Sequence, residues 1–235
     1  KHYTAQNTNI FVYSMPALDS QMYILKNDQN PKEALIIDPL ISDEAISVLE
    51  TVTHALVLLT HSHYDHISGI NWLREIVSIT LLCSECCGNK IQDPHKNLAA
   101  FSNILIMDKT EEEKALCMDF FELDYSCQPD KTFESEISFP FGSYQVEITH
   151  TPGHSDCSQC IRLTTSQQGM TPKIVFTGDS LVNGHKIITR LPQGSKKDYI
   201  AVTKPYLEAL SEDTLIMPGH GDWGQKKELV KPSDH

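Results

Sequence analysis

The hexapeptide His61-Ser62-His63-Tyr64-Asp65-His66 sets three imidazoles and one carboxylate within six positions, directly after an apolar run. Imidazole nitrogen and carboxylate oxygen are both donors that zinc accepts. In an extended segment residues two apart point the same way, so His61 and His63 can grip one ion together. Asp65 and His66 fall where the chain turns into a helical pattern, which redirects their side chains toward a second ion beside the first. A lone histidine is more often a packing residue, but this density of donors at a strand end points to metal chemistry.

Further donors lie far along the chain, in Thr151-Pro152-Gly153-His154, Gly178-Asp179 and Pro218-Gly219-His220. Each set sits on a tight turn after an apolar stretch. Pro fixes the backbone before such a turn, and Gly permits a positive φ or a close backbone approach, so the next side chain can be aimed inward.

The elements that must carry these residues are legible as alternating short strands and helices. Ile10 to Tyr13, Gln21 to Lys26 and Ala34 to Asp38 read as an N-terminal sheet, the last run ended by Pro39. Ser42 opens a helical pattern, with Asp43 and Glu44 in its first turn and Ile46 and Leu49 on one face. Ala55 to Thr60 is a buried strand leading into the hexapeptide. Ile67, Ile70, Leu73 and Ile76/Val77 then recur at helical spacing, and Ile79 to Cys83 is another strand. Tyr144 to Thr149, Gln159 to Thr164 and Lys173 to Phe176 are further strands beside Pro or Gly. Lys196 to Leu210 reads as one helix and Thr214 to Met217 as the last strand. From Asp108 to Lys131 the chain turns acidic, with Glu111, Glu112, Glu113, Asp119, Glu122, Asp124 and Asp130, and is expected to be a solvated loop or edge hairpin without catalytic part. No repeat, low-complexity tract or linker marks a boundary, so residues 1–235 are expected to form one domain.

Composition narrows the function. A formal charge of −12 argues against nucleic acid as a partner, because phosphate backbones are bound by clustered Lys and Arg. No apolar run approaches the ~20 residues that span a bilayer, so no membrane partner is expected. Seven cysteines in 235 residues, an odd number in a chain too long for a disulfide scaffold, fit a reducing compartment, and the cytoplasm is the expected location. The N-terminal Lys1-His2-Tyr3-Thr4 has neither an initiator Met nor a signal-like apolar stretch, and a trimmed start is the expectation.

Taken in order, Thr60-His61-Ser62-His63-Tyr64-Asp65-His66, Pro152-Gly153-His154, Thr177-Gly178-Asp179-Ser180 and Pro218-Gly219-His220-Gly221 resemble the metallo-β-lactamase-like superfamily over roughly residues 10 to 222. The resemblance implies an α/β fold, a four-layer αββα sandwich of two mixed sheets with helices outside and metals at one edge. It implies that His61, His63 and His154 bind a first ion, that Asp65, His66 and His220 bind a second, and that Asp179 bridges the two. Two divalent ions are thereby expected, zinc first, with iron and manganese also suited to the donors. Such ions, about 3.5–4 Å apart, bring a water between them toward ionisation at neutral pH, giving a bridging hydroxide as nucleophile without Ser or Cys. Asp65 is then the candidate catalytic residue, orienting that nucleophile and shuttling its proton.

Asp179 separates the pattern from true metallo-β-lactamases, whose family pattern usually has no bridging carboxylate there. The pattern is closer to the glyoxalase II (hydroxyacylglutathione hydrolase) branch, to which Arg190-Leu191-Pro192-Gln193-Gly194-Ser195 and Asn97-Leu98-Ala99-Ala100-Phe101 also bear some similarity. That branch carries a C-terminal helical domain supplying much of its glutathione site, whereas fifteen residues follow His220, ending Lys231-Pro232-Ser233-Asp234-His235. The expected activity is therefore hydrolysis of a small-molecule thioester or ester, with glutathione specificity open. Arg190, His185, Lys196 and Tyr199, together with Lys197, are candidate substrate contacts.

Two cysteine groups, Cys83-Ser84-Glu85-Cys86-Cys87 and Cys157-Ser158-Gln159-Cys160, have the C-x-x-C spacing of a zinc or redox pair. Strand alternation would put Cys157 and Cys160 on opposite faces of a sheet, which favours a packing role. His54, His95 and His150 are read as packing or surface residues. Two rival activities share the resemblance: a sulfur dioxygenase with one iron held by two His and one Asp, and a non-catalytic metal-binding regulatory protein of the same fold.

Overall fold

The computed structural model describes residues 2–5, 8–15, 18–107, 110–118, 121–165 and 173–228. A first sheet runs in the order β1 (His2–Ala5), β2 (Thr8–Ser14), β3 (Gln21–Lys26), β4 (Glu33–Ile37), β5 (His54–Leu58), β6 (Ser78–Ser84) and β7 (Lys131–Phe133). It is antiparallel through β4 and parallel from β4 to β7. The parallel half needs crossovers, and α1 (Asp43–Leu49) and α2 (Ile70–Ile76) supply two of them. The second sheet contains β8 (Ile137–Phe141), β9 (Tyr144–His150), β10 (Gln159–Thr165), β11 (Ile174–Gly178), β12 (Leu215–Pro218) and β13 (Gly224–Gln225), with only β11 and β12 parallel.

Strand alternation divides the core into layers. From the first sheet Ile10, Val12, Tyr23, Leu25, Leu35 and Ile37 face Val146, Ile148, Ile161, Leu163, Ile174 and Phe176 of the second, with the Tyr23 and Phe176 rings edge to face at 5.0 Å. The opposite face of the first sheet, Met22, Ile24, Ala34, Ile36, Ala55 and Val57, packs under Ala45 and Leu49 of α1, Ile70 and Leu73 of α2, and Cys87 and Ile91 of α3 (Glu85–Ile91). Each fully buried Ile or Leu contributes about 1.5–3 kcal/mol. Outside the second sheet, Cys160, Val175 and Ile216 pack against Leu207. Helices, sheet, sheet and helix thus make the four-layer αββα sandwich expected of the sequence.

Several local expectations change. The acidic stretch is a solvated loop only in part: residues 121–130 are irregular and mostly exposed, but after α4 (Ser102–Leu105) it first forms α5 (Glu111–Met118), whose N-terminal glutamates complement the helix dipole. Beyond it Tyr125 and Cys127 are buried, because their apolar bodies alternate with the acidic side chains. Asp108, Asp119 and residues 231–235 lie outside the described residues. The helix expected over Lys196 to Leu210 is interrupted: α6 (Lys196–Asp198) passes through a π-helical turn, Tyr199–Thr203, into α7 (Lys204–Ala209). Pro205 lacks the N–H that a regular α-helix would donate to Ala201, so the ladder widens there. Cys157 is not on a strand with Cys160; it lies in the turn before β10, so strand alternation does not govern the pair. Among the described residues, no helix is long and apolar enough to cross a membrane.

Candidate metal centre

The seven donors singled out in the sequence meet at one end of the two sheets. Strand β5 ends at Leu58, and His61 and His63 follow in extended backbone before a 3-10 turn, Tyr64–His66, swings Asp65 and His66 round. His154 stands in the turn after β9, Asp179 directly follows β11, and His220 follows β12. Backbone hydrogen bonds tie these ends together: Gly219 N–H donates to Gly178 at 2.8 Å, Gln21 N–H to Gly219 at 2.8 Å, and Gln159 N–H to Thr60 at 2.8 Å. Gly219 is required by contact, since a β-carbon there would overlap Asp179 Oδ1 and crowd His66 Cε1.

Three sets of donor atoms each fall within 4.8 Å of one another: His61, His63 and His154; His61, His66 and Asp179; and Asp65, His66 and His220. Asp179 spans them. Its Oδ1 is 3.4 Å from His66 Nε2, while its Oδ2 is 3.3 Å from His154 Nε2 and 3.5 Å from His220 Nε2. Asp65 Oδ2 lies 3.4 Å from His66 Nε2 and 3.2 Å from His220 Nε2.

Outer partners orient the rings. His154 Nδ1 donates to the Ile188 carbonyl at 2.8 Å and His220 Nδ1 to the Leu18 carbonyl at 2.8 Å. A carbonyl only accepts, so each Nδ1 carries a proton and each ring turns its Nε2 inward. His66 Nδ1 faces Asp38 Oδ2 at 3.0 Å, and His61 Nδ1 faces Thr60 Oγ1 at 3.1 Å. The inward nitrogens of His66, His154 and His220 therefore face the oxygens of Asp65 and Asp179. The inward Nε2 atoms of His61 and His66, Nε2 of His63 and Asp179 Oδ1 are buried without a hydrogen-bond partner. Lone pairs converging in this way fit divalent cations.

The electrostatics have the same sense. Burial alone would push the His66 imidazolium down, but the Asp65 and Asp179 carboxylates override it and hold its pKa at about 10. His220 is likewise held well above its ordinary value against burial by Asp179 and Asp65. Burial lowers His61 and His63, the latter to about 4 with the neighbouring His154 adding to the effect. Burial works to raise both carboxylates, yet His66 and His220 hold Asp65 low, and His220, His154 and His66 hold Asp179 low.

Asp38 was missed in the sequence as a site residue. It is buried, leaves β4 at φ 51°, and takes Thr60 N–H on Oδ1 at 2.7 Å and Thr60 O–H on Oδ2 at 2.5 Å. One carboxylate thereby positions His66 directly and His61 through Thr60. Its signal was a carboxylate at the end of an apolar strand, followed by Pro39.

The candidate substrate residues are placed differently from one another. Tyr199 is half-buried, packs on Gly153 and donates to the Ser180 carbonyl at 3.3 Å, which ties the turns carrying His154 and Asp179. Arg190, His185, Lys196 and Lys197 are exposed. The Arg190–Ser195 stretch approaches the centre through Ser195 N–H, which donates to the Gly153 carbonyl at 2.8 Å. Asn97 is fully buried: its side-chain amide donates to the Tyr125 carbonyl at 2.9 Å, and its backbone carbonyl accepts Tyr64 N–H at 2.8 Å, bracing the turn behind Asp65.

The chain is similar to known proteins over most of its length. Residues 16–220 match the metallo-beta-lactamase superfamily. An uncharacterized protein of Mycobacterium tuberculosis is 30% identical over 200 residues, 81% of each chain. The hydroxyacylglutathione hydrolase GloC of Haemophilus influenzae is 26% identical over 231 residues, 93% of this chain and 95% of that one. Among solved structures, the BLEG-1 B3 metallo-beta-lactamase superposes with a TM-score of 0.71 at 25% identity, covering 93% of this chain and 95% of its own.

Proposed function

Because the chain belongs to the metallo-beta-lactamase superfamily, we propose that it is a dinuclear metal-dependent hydrolase of a small thioester or ester. The observation that carries this reading is the Asp179 carboxylate, whose two oxygens face His66 on one side and His154 and His220 on the other. His61, His63 and His154 would hold one ion, Asp65, His66 and His220 the second, and Asp179 both. A pair of divalent cations supplies an ionised water near neutral pH and a Lewis acid for a substrate carbonyl.

The chain's own groups do the rest. Asp38 and the carbonyls of Ile188 and Leu18 fix the rings of His66, His154 and His220, so the inward donors need no reorganisation during the reaction. Asp65, beside His220 at 3.2 Å, is the carboxylate placed to orient the attacking oxygen and take its proton. Lys196 and Arg190, on the segment docked to the Gly153 turn, are the cations a substrate carboxylate or phosphate would meet at the rim. Tyr199 holds that segment against the centre rather than standing free for substrate.

A thioester is favoured over a β-lactam by the bridging position of Asp179. The likeness to a hydroxyacylglutathione hydrolase adds support. The test is turnover by zinc-loaded protein of hydroxyacyl thioesters of glutathione and of coenzyme A, simple esters, lactones, phosphodiesters and β-lactams. Thioester or ester cleavage that disappears on chelation and returns with zinc is expected. Preferential β-lactam or phosphodiester cleavage, or oxygen uptake with a persulfide by an iron-loaded form, contradicts the assignment.

A further inference from the structure

Cys157 lies in none of the donor sets of the metal centre, yet it stands between the two turns that supply the set His61, His63 and His154. The run 59–63 continues past the end of β5 and is gripped by the residues that open β10. Gln159 N–H donates to the Thr60 carbonyl at 2.8 Å, and its side-chain amide donates to the Leu59 carbonyl at 2.6 Å. Cys157 holds the next point along: its S–H donates to Ser62 Oγ at 3.3 Å. Ser62 is the residue between His61 and His63.

On its other side Cys157 Sγ is hydrogen-bonded to Ser155 Oγ at 3.4 Å, and Ser155 directly follows His154. Ser155 is itself fixed. Its hydroxyl meets Ser158 Oγ at 2.8 Å, its N–H donates to the same oxygen at 3.1 Å, and its carbonyl accepts Gly153 N–H at 3.0 Å. Ser62, Ser155, Cys157 and Ser158 are all buried, and in that setting the weak hydrogen bonds of a thiol count for more than in water. The two turns meet where His63 Nδ1 and His154 Nε2 stand 3.0 Å apart.

We propose that Cys157 is a positioning residue for the metal centre: its thiol, bonded to Ser62 on one side and to Ser155 on the other, sets the separation between His154 and the pair His61 and His63. The inference rests on the two-ion reading given above. Sulfur suits the position because it is larger than oxygen and its bond to carbon is longer, so one atom reaches both serines. Valine fills similar space but neither donates nor accepts, which takes from Ser62 the partner that Cys157 gives it. Serine keeps a donor and an acceptor on a shorter arm, so it restores the link only by drawing the turns together.

The experiment titrates the metal-free chain with cobalt(II), which takes the same nitrogen and oxygen donors as zinc and absorbs in the visible, and measures zinc affinity by chelator competition. Wild type is compared with Cys157→Val, Cys157→Ser and His154→Ala, and the thermal melt of each metal-free protein reports the fold separately. Two ions are expected in the wild type. In Cys157→Val one of the two should bind about 10-fold more weakly, with a changed cobalt spectrum. It should be the ion that His154→Ala fails to bind, and Cys157→Ser should recover part of the loss. A thiol that merely filled space would give the reverse order, because a buried apolar site accepts valine and resists a hydroxyl. That order, wild-type affinity in both variants, or an equal loss at both ions would overturn the proposal. Should Cys157→Val fail to fold, Ser62→Ala removes the same hydrogen bond from its other end: weakening of the same ion supports the proposal, and unchanged binding overturns it. Fewer than two ions in the wild type would defeat the two-ion reading, and the proposal with it.

Discussion

Asp38 Oδ2 lies 3.0 Å from His66 Nδ1, on the side of the ring opposite the nitrogen that faces Asp65 and Asp179. One buried carboxylate outside the donor sets therefore orients a ring that two of the three donor sets share. Its removal should lower zinc affinity about 10–100-fold. Asp38→Asn should fare little better than Asp38→Ala, because either amide orientation sets an N–H against Thr60 or against His66. Competition titration with a zinc chelator measures this, and wild-type affinity in Asp38→Asn would refute the positioning role.

Asp65→Ala should reduce kcat by at least about 10²-fold, through loss of the group that orients the attacking oxygen and moves its proton. His154→Ala should abolish turnover by removing one of the three imidazoles proposed for the first ion. Steady-state rates at saturating zinc decide this; full turnover in either variant is incompatible with the mechanism.

Gly219→Ala should disrupt the centre through one methyl group. The added carbon would displace the Asp179 carboxylate and the His66 ring together, so zinc binding should fall while the sheets stay folded. Circular dichroism and zinc content, measured together, check the two halves of that expectation. Retained zinc at wild-type level would show that the turn relaxes freely.

The pH dependence of the metal-free protein follows from opposite shifts. His66 is held at about 10 against 6.5, so its stabilising effect is complete below pH 6.5 and is lost as pH rises toward 10. His63 is lowered to about 4, so below pH 6.5 the unfolded chain takes up a proton that the folded one refuses, and stability falls toward pH 4. The Tm of metal-free protein should peak near pH 6.5 and decline on both sides. Zinc replaces the proton on His66, so its stabilising increment should grow from pH 6.5 upward. Thermal melts across pH with and without zinc test this; a metal-free Tm that climbs steadily to pH 9 is the contrary result.

Most of the centre was readable because its donors are concentrated at strand ends, where a two-residue alternation followed by a turn dictates direction. His61, His63, Asp65 and His66 needed only that rule, and the Pro-Gly turns marked His154 and His220. Asp38 was not readable as a site residue, since its role depends on β4 and β5 lying side by side, which brings Thr60 and His66 to it. The helix at Glu111–Met118 was masked by charge, which a helix N-terminus tolerates as readily as a loop does. The π-helical turn before Pro205 shows a local backbone rule prevailing over a helical hydrophobic pattern.

The most direct measurement is elemental analysis of the purified protein beside Asp179→Ala, each equilibrated with zinc and freed of excess. About two zinc ions per chain in the wild type, and no more than about one in the variant with turnover lost, is the result a bridging carboxylate requires. A single metal in the wild type at full activity, or two retained by Asp179→Ala, would contradict it.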